Sequence, residues 1–175
     1  GKGFKLNGVP MKLKGGCVHH DNGLLGSAAF DRAEERKIQL LKQNGFNAVR
    51  TSHNPMSESF MSACDRLGML VIDEAFDQWK IKKNPEDYLY FNEWSARDIR
   101  SLMLRDRNHP SVIMWSIGNE IRERISDNGL KIAEDLKKEI LKHDNTRPVT
   151  AGVNKYWIKT GRICFLLKRL SGILT

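Results

Sequence analysis

The stretch VIMWSIGNE, residues 112–120, opens on three apolar residues and a tryptophan, turns polar within five positions and ends on an acid. A short apolar run of this kind is the pattern of a strand buried on both faces, as in a parallel sheet. An Asn and a Glu at its end need a partner or a task, because carboxylates rarely go inside unpaired.

Working outward, the same design repeats. FNAVR (46–50) predicts a short strand followed by the polar burst Arg50, Ser52, His53 and Asn54, and MLVIDE (69–74) predicts one that finishes in Asp73 and Glu74. MKLKGGCV (11–18) runs into His19, His20 and Asp21, and PVTAGV (148–153) is a fifth candidate strand.

Helical patterns lie between them. Asp31 with Glu34 reads as a capping box, with Gly45 as the stop. Ser57 to Leu67 ends at Gly68, a third helix is expected around Trp94–Arg107, and a fourth over Asp127–His143 with Leu130, Ala133, Leu136 and Ile140 on one side. Ahead of them all, Asn7-Gly8 predicts a tight hairpin turn.

Strands alternating with helices imply an α/β fold with a parallel sheet, either doubly wound or a (β/α) barrel. No glycine-rich GxGxxG or Walker loop follows any strand, which disfavours the nucleotide-binding form. In a barrel, catalytic groups gather at the C-terminal ends of several strands, and four successive strands here end in His19/Asp21, Arg50/His53, Asp73/Glu74 and Asn119/Glu120. By the same rule Asn108, His109 and Pro110, which precede their strand, belong to the opposite mouth and read as structural.

Composition agrees with a globular domain: 175 residues, 40% hydrophobic and 29% charged. The net charge of +8 suggests nucleic acid at first sight, yet Lys155, Lys159, Arg162, Lys168 and Arg169 place five of those charges in an acid-free tail, leaving +3 for residues 1–154. No nucleic-acid-binding signature is present, so no nucleic-acid partner is expected. No run reaches the length of a membrane span, and GKGFKLNG has no apolar h-region, so neither a membrane partner nor a signal peptide is expected, and the compartment stays open. Cys17, Cys64 and Cys164 lack CxxC spacing and read as free thiols.

LNGVPMKLKGGCVHHD, FNAVRTSHNP, CDRLGMLVIDEAFDQW and RDRNHPSVIMWSIGNE, in this order, resemble the first half of the catalytic barrel of glycoside hydrolase family 2, which contains β-galactosidases, β-glucuronidases and β-mannosidases. The resemblance covers roughly residues 4–153 and implies a partial (β/α)8 TIM barrel of four to five βα units after a short β-hairpin. It sets residues 1–154 apart from the basic tail 155–175, which does not look like the family's continuation and is a candidate frameshifted or mis-predicted end; the alternative for that tail is a membrane-binding helix, interrupted by Gly161 and Gly172.

By that resemblance Glu120 is the general acid/base and Asn119 bonds the sugar 2-hydroxyl. Arg50 would orient the nucleophilic carboxylate, His53 and His19 would contact the sugar, and Asp21 and Glu74 fall near substrate. Trp79 is either a sugar platform or core packing. The plain alternatives are a helix-entry carboxylate for Glu120, a structural ion pair of Arg50 with Asp73 or Glu74, and loop or metal-binding roles for His19, His20 and His53.

Retaining hydrolysis pairs a proton-donating carboxyl with a nucleophilic one about 5–5.5 Å away. The family's nucleophile is a Glu on the seventh strand, and after Asp144 this chain contains no Asp or Glu. The expectation is a carbohydrate-directed β-galactosidase-like hydrolase whose fragment is inactive alone. A β-glucuronidase or a non-catalytic carbohydrate-binding fragment is the alternative. No cofactor is expected: the family's magnesium ion can use a Glu and a His from the loop before the acid, and residues 75–108 contain no His. An open half-barrel is expected to self-associate.

Overall fold

The computed structural model describes residues 3–81 and 89–154. Cys164 and the rest of the tail 155–175, on which some of the expectations above fall, lie outside the described residues.

The hairpin forms as read: β1 (Lys5–Leu6) pairs antiparallel with β2 (Val9–Pro10), and both turn residues take positive φ, 51° at Asn7 and 81° at Gly8. That pair of left-handed residues is the type I′ turn whose twist matches two short strands.

Five parallel strands follow: β3 (Gly15–Val18), β4 (Ala48–Thr51), β5 (Leu70–Glu74), β6 (Val112–Asn119) and β7 (Val149–Gly152). They lie side by side in chain order, β3-β4-β5-β6-β7. A doubly wound sheet reverses its order at a switch point; this one never does. With right-handed crossovers, connections that always advance in the same direction put every helix on one face. The sheet is therefore an arc of barrel wall.

The helices are α1 (Asp31–Gln43), α2 (Glu58–Leu67), α3 (Phe91–Asp106) and α4 (Asp127–Leu141). Ser57 caps α2 by accepting from the Phe60 N–H at 3.2 Å, and Gly68 closes it at φ 67°. Ser126, one residue ahead of the expected start, caps α4 by accepting from the Gly129 N–H at 3.0 Å. The third helix begins at Phe91, earlier than its apolar spacing suggested.

The capping box at Asp31 is not formed. Phe30 occupies the cap position with no side-chain cap, and Asp31 is already helical. Glu34 turns inward instead, accepting from Asn22 Nδ2 at 2.5 Å and from Lys37 Nζ at 3.3 Å. A buried carboxylate gains more from those donors than from an exposed backbone N–H.

Strand alternation divides the side chains. Val49, Val71 and Val112 enter the core with Ile38, Phe60, Met61, Cys64, Ile99, Met103, Ile132, Leu136 and Ile140 from the helices. On the other face Cys17 is exposed while Ile72 and Met114 are only partly covered. Arg50, Glu74 and Ser116 belong to that second face, Arg50 and Glu74 at the C-terminal ends of their strands.

Candidate active site

Register brings Arg50 of β4 opposite Ile72 of β5, and Glu74 of β5 opposite Ser116 of β6. The Glu74 side chain is thereby sealed, 0% exposed, between two strands. A carboxylate so placed needs several donors, and it has them. Arg50 Nε donates to Glu74 Oε2 at 2.8 Å, and Arg50 Nη2 donates to Oε1 at 2.8 Å and to Oε2 at 2.6 Å. Ser116 Oγ donates to Oε2 at 2.5 Å, and His53 Nδ1 lies 2.8 Å from Oε1.

The network continues to the acid. Arg50 Nη2 also donates to Asn119 Oδ1 at 2.8 Å, and Asn119 Nδ2 donates to Asp77 Oδ1 at 2.9 Å. An amide held at its oxygen by a guanidinium and at its nitrogen by a carboxylate cannot flip without breaking both bonds. Asn119 is 7% exposed and rigidly held.

Glu120 follows at φ 45°, a left-handed conformation uncommon for a non-glycine residue, with its N–H donating to Gly152 O at 2.6 Å. That turn ends β6 and leaves the Glu120 side chain exposed at the strand ends. Gly152 is needed here for space: a Cβ on it would stand 2.3 Å from Arg50 Nη2 and 3.1 Å from Asn119 Oδ1. His19, exposed at the end of β3, meets His53 edge to face with ring centroids 5.3 Å apart.

Thus Arg50, His53, His19, Asn119 and Glu120 converge on one end of the sheet, and Glu74 ties them together. Glu74, expected near substrate, faces no solvent and holds Arg50 and His53. The structural pairing of Arg50 was posed as an alternative to a role at the site, yet here the pairing fixes the guanidinium among the site residues.

Trp79 is core packing: it is 0% exposed, and its Nε1 donates to Ile117 O at 2.8 Å. Gly118 makes room for it, since a Cβ there would lie 2.9 Å from Trp79 Nε1. Asp21 stands apart from the network, exposed, with Oδ1 accepting from the Gly23 N–H at 2.8 Å.

His20 turns its Nε2 to within 3.0 Å of Pro55 O. Among the described residues no group of three His, Cys, Asp or Glu side chains could hold a metal ion. His109, at the far mouth, lies with Nδ1 2.5 Å from Asp65 Oδ2. Asp77, Ser116 and Gly152 were missed by sequence reading. Ser116 was legible in principle, as the hydroxyl four residues before Glu120 on the strand; Asp77 sits in a loop and carries no periodic signal.

Residues 1–166 match the sequence profile of the glycosyl hydrolases family 2 TIM barrel domain, a match that runs past residue 154 into the basic tail. A β-galactosidase of Bacteroides ovatus, BoGH2A, is 56% identical over 127 residues, covering 72% of this chain and 15% of that protein. A family 2 glycosyl hydrolase from Bacteroides cellulosilyticus superposes with a TM-score of 0.91 at 57% identity, covering 94% of this chain and 21% of that one. A Bacteroides uniformis β-glucuronidase, solved covalently bound to cyclophellitol-6-carboxylate aziridine, gives a TM-score of 0.76 at 29% identity over 97% of this chain and 21% of its own. The chain therefore spans about a fifth or less of the length of these three relatives. Matched along nearly its whole length, it belongs to glycosyl hydrolase family 2 and lies in that family's TIM barrel domain.

Proposed function

We propose that this chain is the acid/base half of a retaining β-glycosidase site acting on terminal non-reducing β-glycosides, β-galactosides first among them. The observation that carries this is Glu120, exposed at a strand end beside an Asn119 locked by Arg50 and Asp77. The galactoside preference is supported by the 56% identity to a protein named as a β-galactosidase.

The residues divide the work. Glu120 donates its proton to the glycosidic oxygen as the bond to the anomeric carbon breaks, then as carboxylate takes a proton from the water that releases the sugar. Asn119 meets the 2-hydroxyl, where hydrogen bonds strengthen as oxocarbenium character grows. His53 and His19 line the approach, and Arg50 presents a fixed positive charge to the incoming nucleophile. That nucleophile is absent from the strands described. This chain alone, on this reading, turns over nothing, and its uncovered sheet face associates with a second copy or with the rest of a barrel.

The test is an aryl β-galactoside and an aryl β-glucuronide assayed on the isolated chain and on a polypeptide that completes the barrel, each with Glu120→Gln. The completed barrel should lose about 10²–10⁴-fold on poor leaving groups in the variant and far less on dinitrophenyl glycosides, whose departure needs no proton. An equal loss on both leaving groups would refute the acid role. Turnover by the isolated chain, abolished by Glu120→Gln, would refute its incompleteness, and faster glucuronide than galactoside turnover would refute the sugar assignment. Sedimentation of the isolated chain as a stable monomer would refute self-association.

A further inference from the structure

The Arg50–Glu74 clasp rests on a second buried carboxyl that the proposed chemistry never touches. Asp73 precedes Glu74 on β5 and so points to the opposite face, into the layer between sheet and helices, where it is 0% exposed. There it faces Asp106, the last residue of α3, which is also 0% exposed. Two buried carboxyls that face each other repel strongly when both are ionised, which favours keeping a proton on one of them.

The other partners show where that proton sits. Asp106 accepts from Arg105 at both oxygens, Nε to Oδ1 at 2.6 Å and Nη2 to Oδ2 at 2.5 Å, which is the arrangement of an ionised carboxylate. Among the described residues no cation is in ion-pair contact with Asp73. Its Oδ1 accepts from Thr51 Oγ1 at 3.1 Å, and its buried Oδ2 has no hydrogen-bond donor among the described residues. Thr51 Oγ1 in turn accepts from the Glu74 backbone N–H at 2.7 Å. A chain of bonds therefore runs from Asp73 through Thr51 to the residue that clasps Arg50 and His53.

We propose that Asp73 is a positioning residue held as a neutral acid at neutral pH, donating from Oδ2 to Asp106, and that through Thr51 it fixes the backbone of Glu74 and with it the Arg50–His53 clasp. Burial and then the Asp106 charge push the Asp73 carboxyl well above its ordinary value, while Thr51 and Arg105 oppose them. The groups facing it are Asp106 and Arg105 from α3, the Cys64 thiol from α2 and the Thr51 hydroxyl from β4. On β6 its register partner is the uncharged Trp115. Beyond these, His109 Nε2 lies 3.9 Å from Asp106 Oδ1, Glu58 acts on Arg105, and Asp65 and Glu34 act on Cys64.

The sign follows from linkage. In the unfolded chain Asp73 ionises near its ordinary value of about 3.9, so above that pH the folded state holds one more proton. Stability from this group is greatest at low pH, and the folding equilibrium constant falls about tenfold per pH unit until the folded-state value is passed.

Infrared spectroscopy of the chain at pH 7 reads the proton directly, because the carbonyl stretch of a protonated carboxyl is separate from that of a carboxylate. The wild type should show such a band, and D73N should lack it. The folding constant of the wild type relative to D73N should fall about tenfold per pH unit through the same window. Positioning is read at the His53 side-chain nitrogen resonance: unchanged in D73N, moved in D73A, and moved in the wild type at the alkaline pH where the infrared band disappears. Absence of the band in the wild type, or a pH-independent stability ratio, overturns the proton. A His53 resonance unmoved where the wild-type band vanishes overturns the positioning, and this arm needs no variant to fold. No turnover is measured, so failure here is separate from failure of the glycosidase reading.

Discussion

Replacing Arg50 with Met should cost far more stability than replacing its partner Glu74 with Gln. In the variant lacking Arg50, Glu74 stays sealed at 0% exposure and keeps only Ser116 Oγ at 2.5 Å and His53 Nδ1 at 2.8 Å. Removing one partner of a buried pair leaves an uncompensated charge, for about 3–5 kcal/mol. His53 and Ser116 still cover two faces, so the lower end, about 3 kcal/mol, is expected for Arg50→Met. The reverse change is milder, because the Arg50 side chain is 23% exposed and retains Asn119 Oδ1 at 2.8 Å. Glu74→Gln should cost about 1–2 kcal/mol, the range for one buried hydrogen-bonding group altered without a stranded charge. The double variant should fall short of the sum by about 1–3 kcal/mol, the coupling of groups in direct contact. Urea unfolding of the four proteins, with midpoints compared at a common slope, measures all three quantities. The reasoning fails if Arg50→Met lies within about 0.5 kcal/mol of wild type, the usual size of a surface change. It fails equally if Glu74→Gln is the costlier of the two, or if the costs simply add.

Three other outcomes follow from the same coordinates. Gly152→Ala should destabilise by about 1–3 kcal/mol, as overpacking does, and should displace the guanidinium, because its Cβ would stand 2.3 Å from an Arg50 Nη2 that Glu74 and Asn119 already hold; a crystal structure of the variant with Arg50 unmoved would contradict this. Burial alone would raise the Asp144 carboxyl, but hydrogen bonds from Thr146, Arg147 and Trp115 outweigh it and hold it well below the ordinary carboxylate range. Its stabilisation is therefore complete above about pH 4 and lost as pH falls through the folded-state value, so the stability gap between wild type and Asp144→Asn should close on acidification. Burial, followed by the Asp65 charge, pushes the Cys64 thiol far up, so a thiol-specific alkylating reagent at pH 8 should label the exposed Cys17 in the native chain and reach Cys64 only in denaturant.

Much of this molecule is written locally. The Asn7-Gly8 turn, the Ser57 cap with its Gly68 stop, and four strand-forming runs each ending in polar residues follow from rules that span a few neighbouring residues. Those rules also located Asn119-Glu120, Arg50 and His53 at strand ends. They misread Asp31 and Glu34, whose spacing fits a capping box that a long-range bond from Asn22 disrupts. They also left Trp79 open between platform and core, which burial alone decides.

By itself, then, the sequence determined the order of strands and helices, the mouth at which the chemistry-bearing residues emerge, and the acid that ends VIMWSIGNE. Only the tertiary structure decided which of those residues meet solvent and which hold the others in place. Asp73 and Glu74 are neighbours that face opposite sides of the sheet, and Glu74 closes on Arg50, 24 residues away, while Arg50 reaches Asn119 across 69. Those contacts are set by parallel register between strands, a relation no local spacing encodes, because each crossover helix separates the pairing strands before the sheet brings them back together.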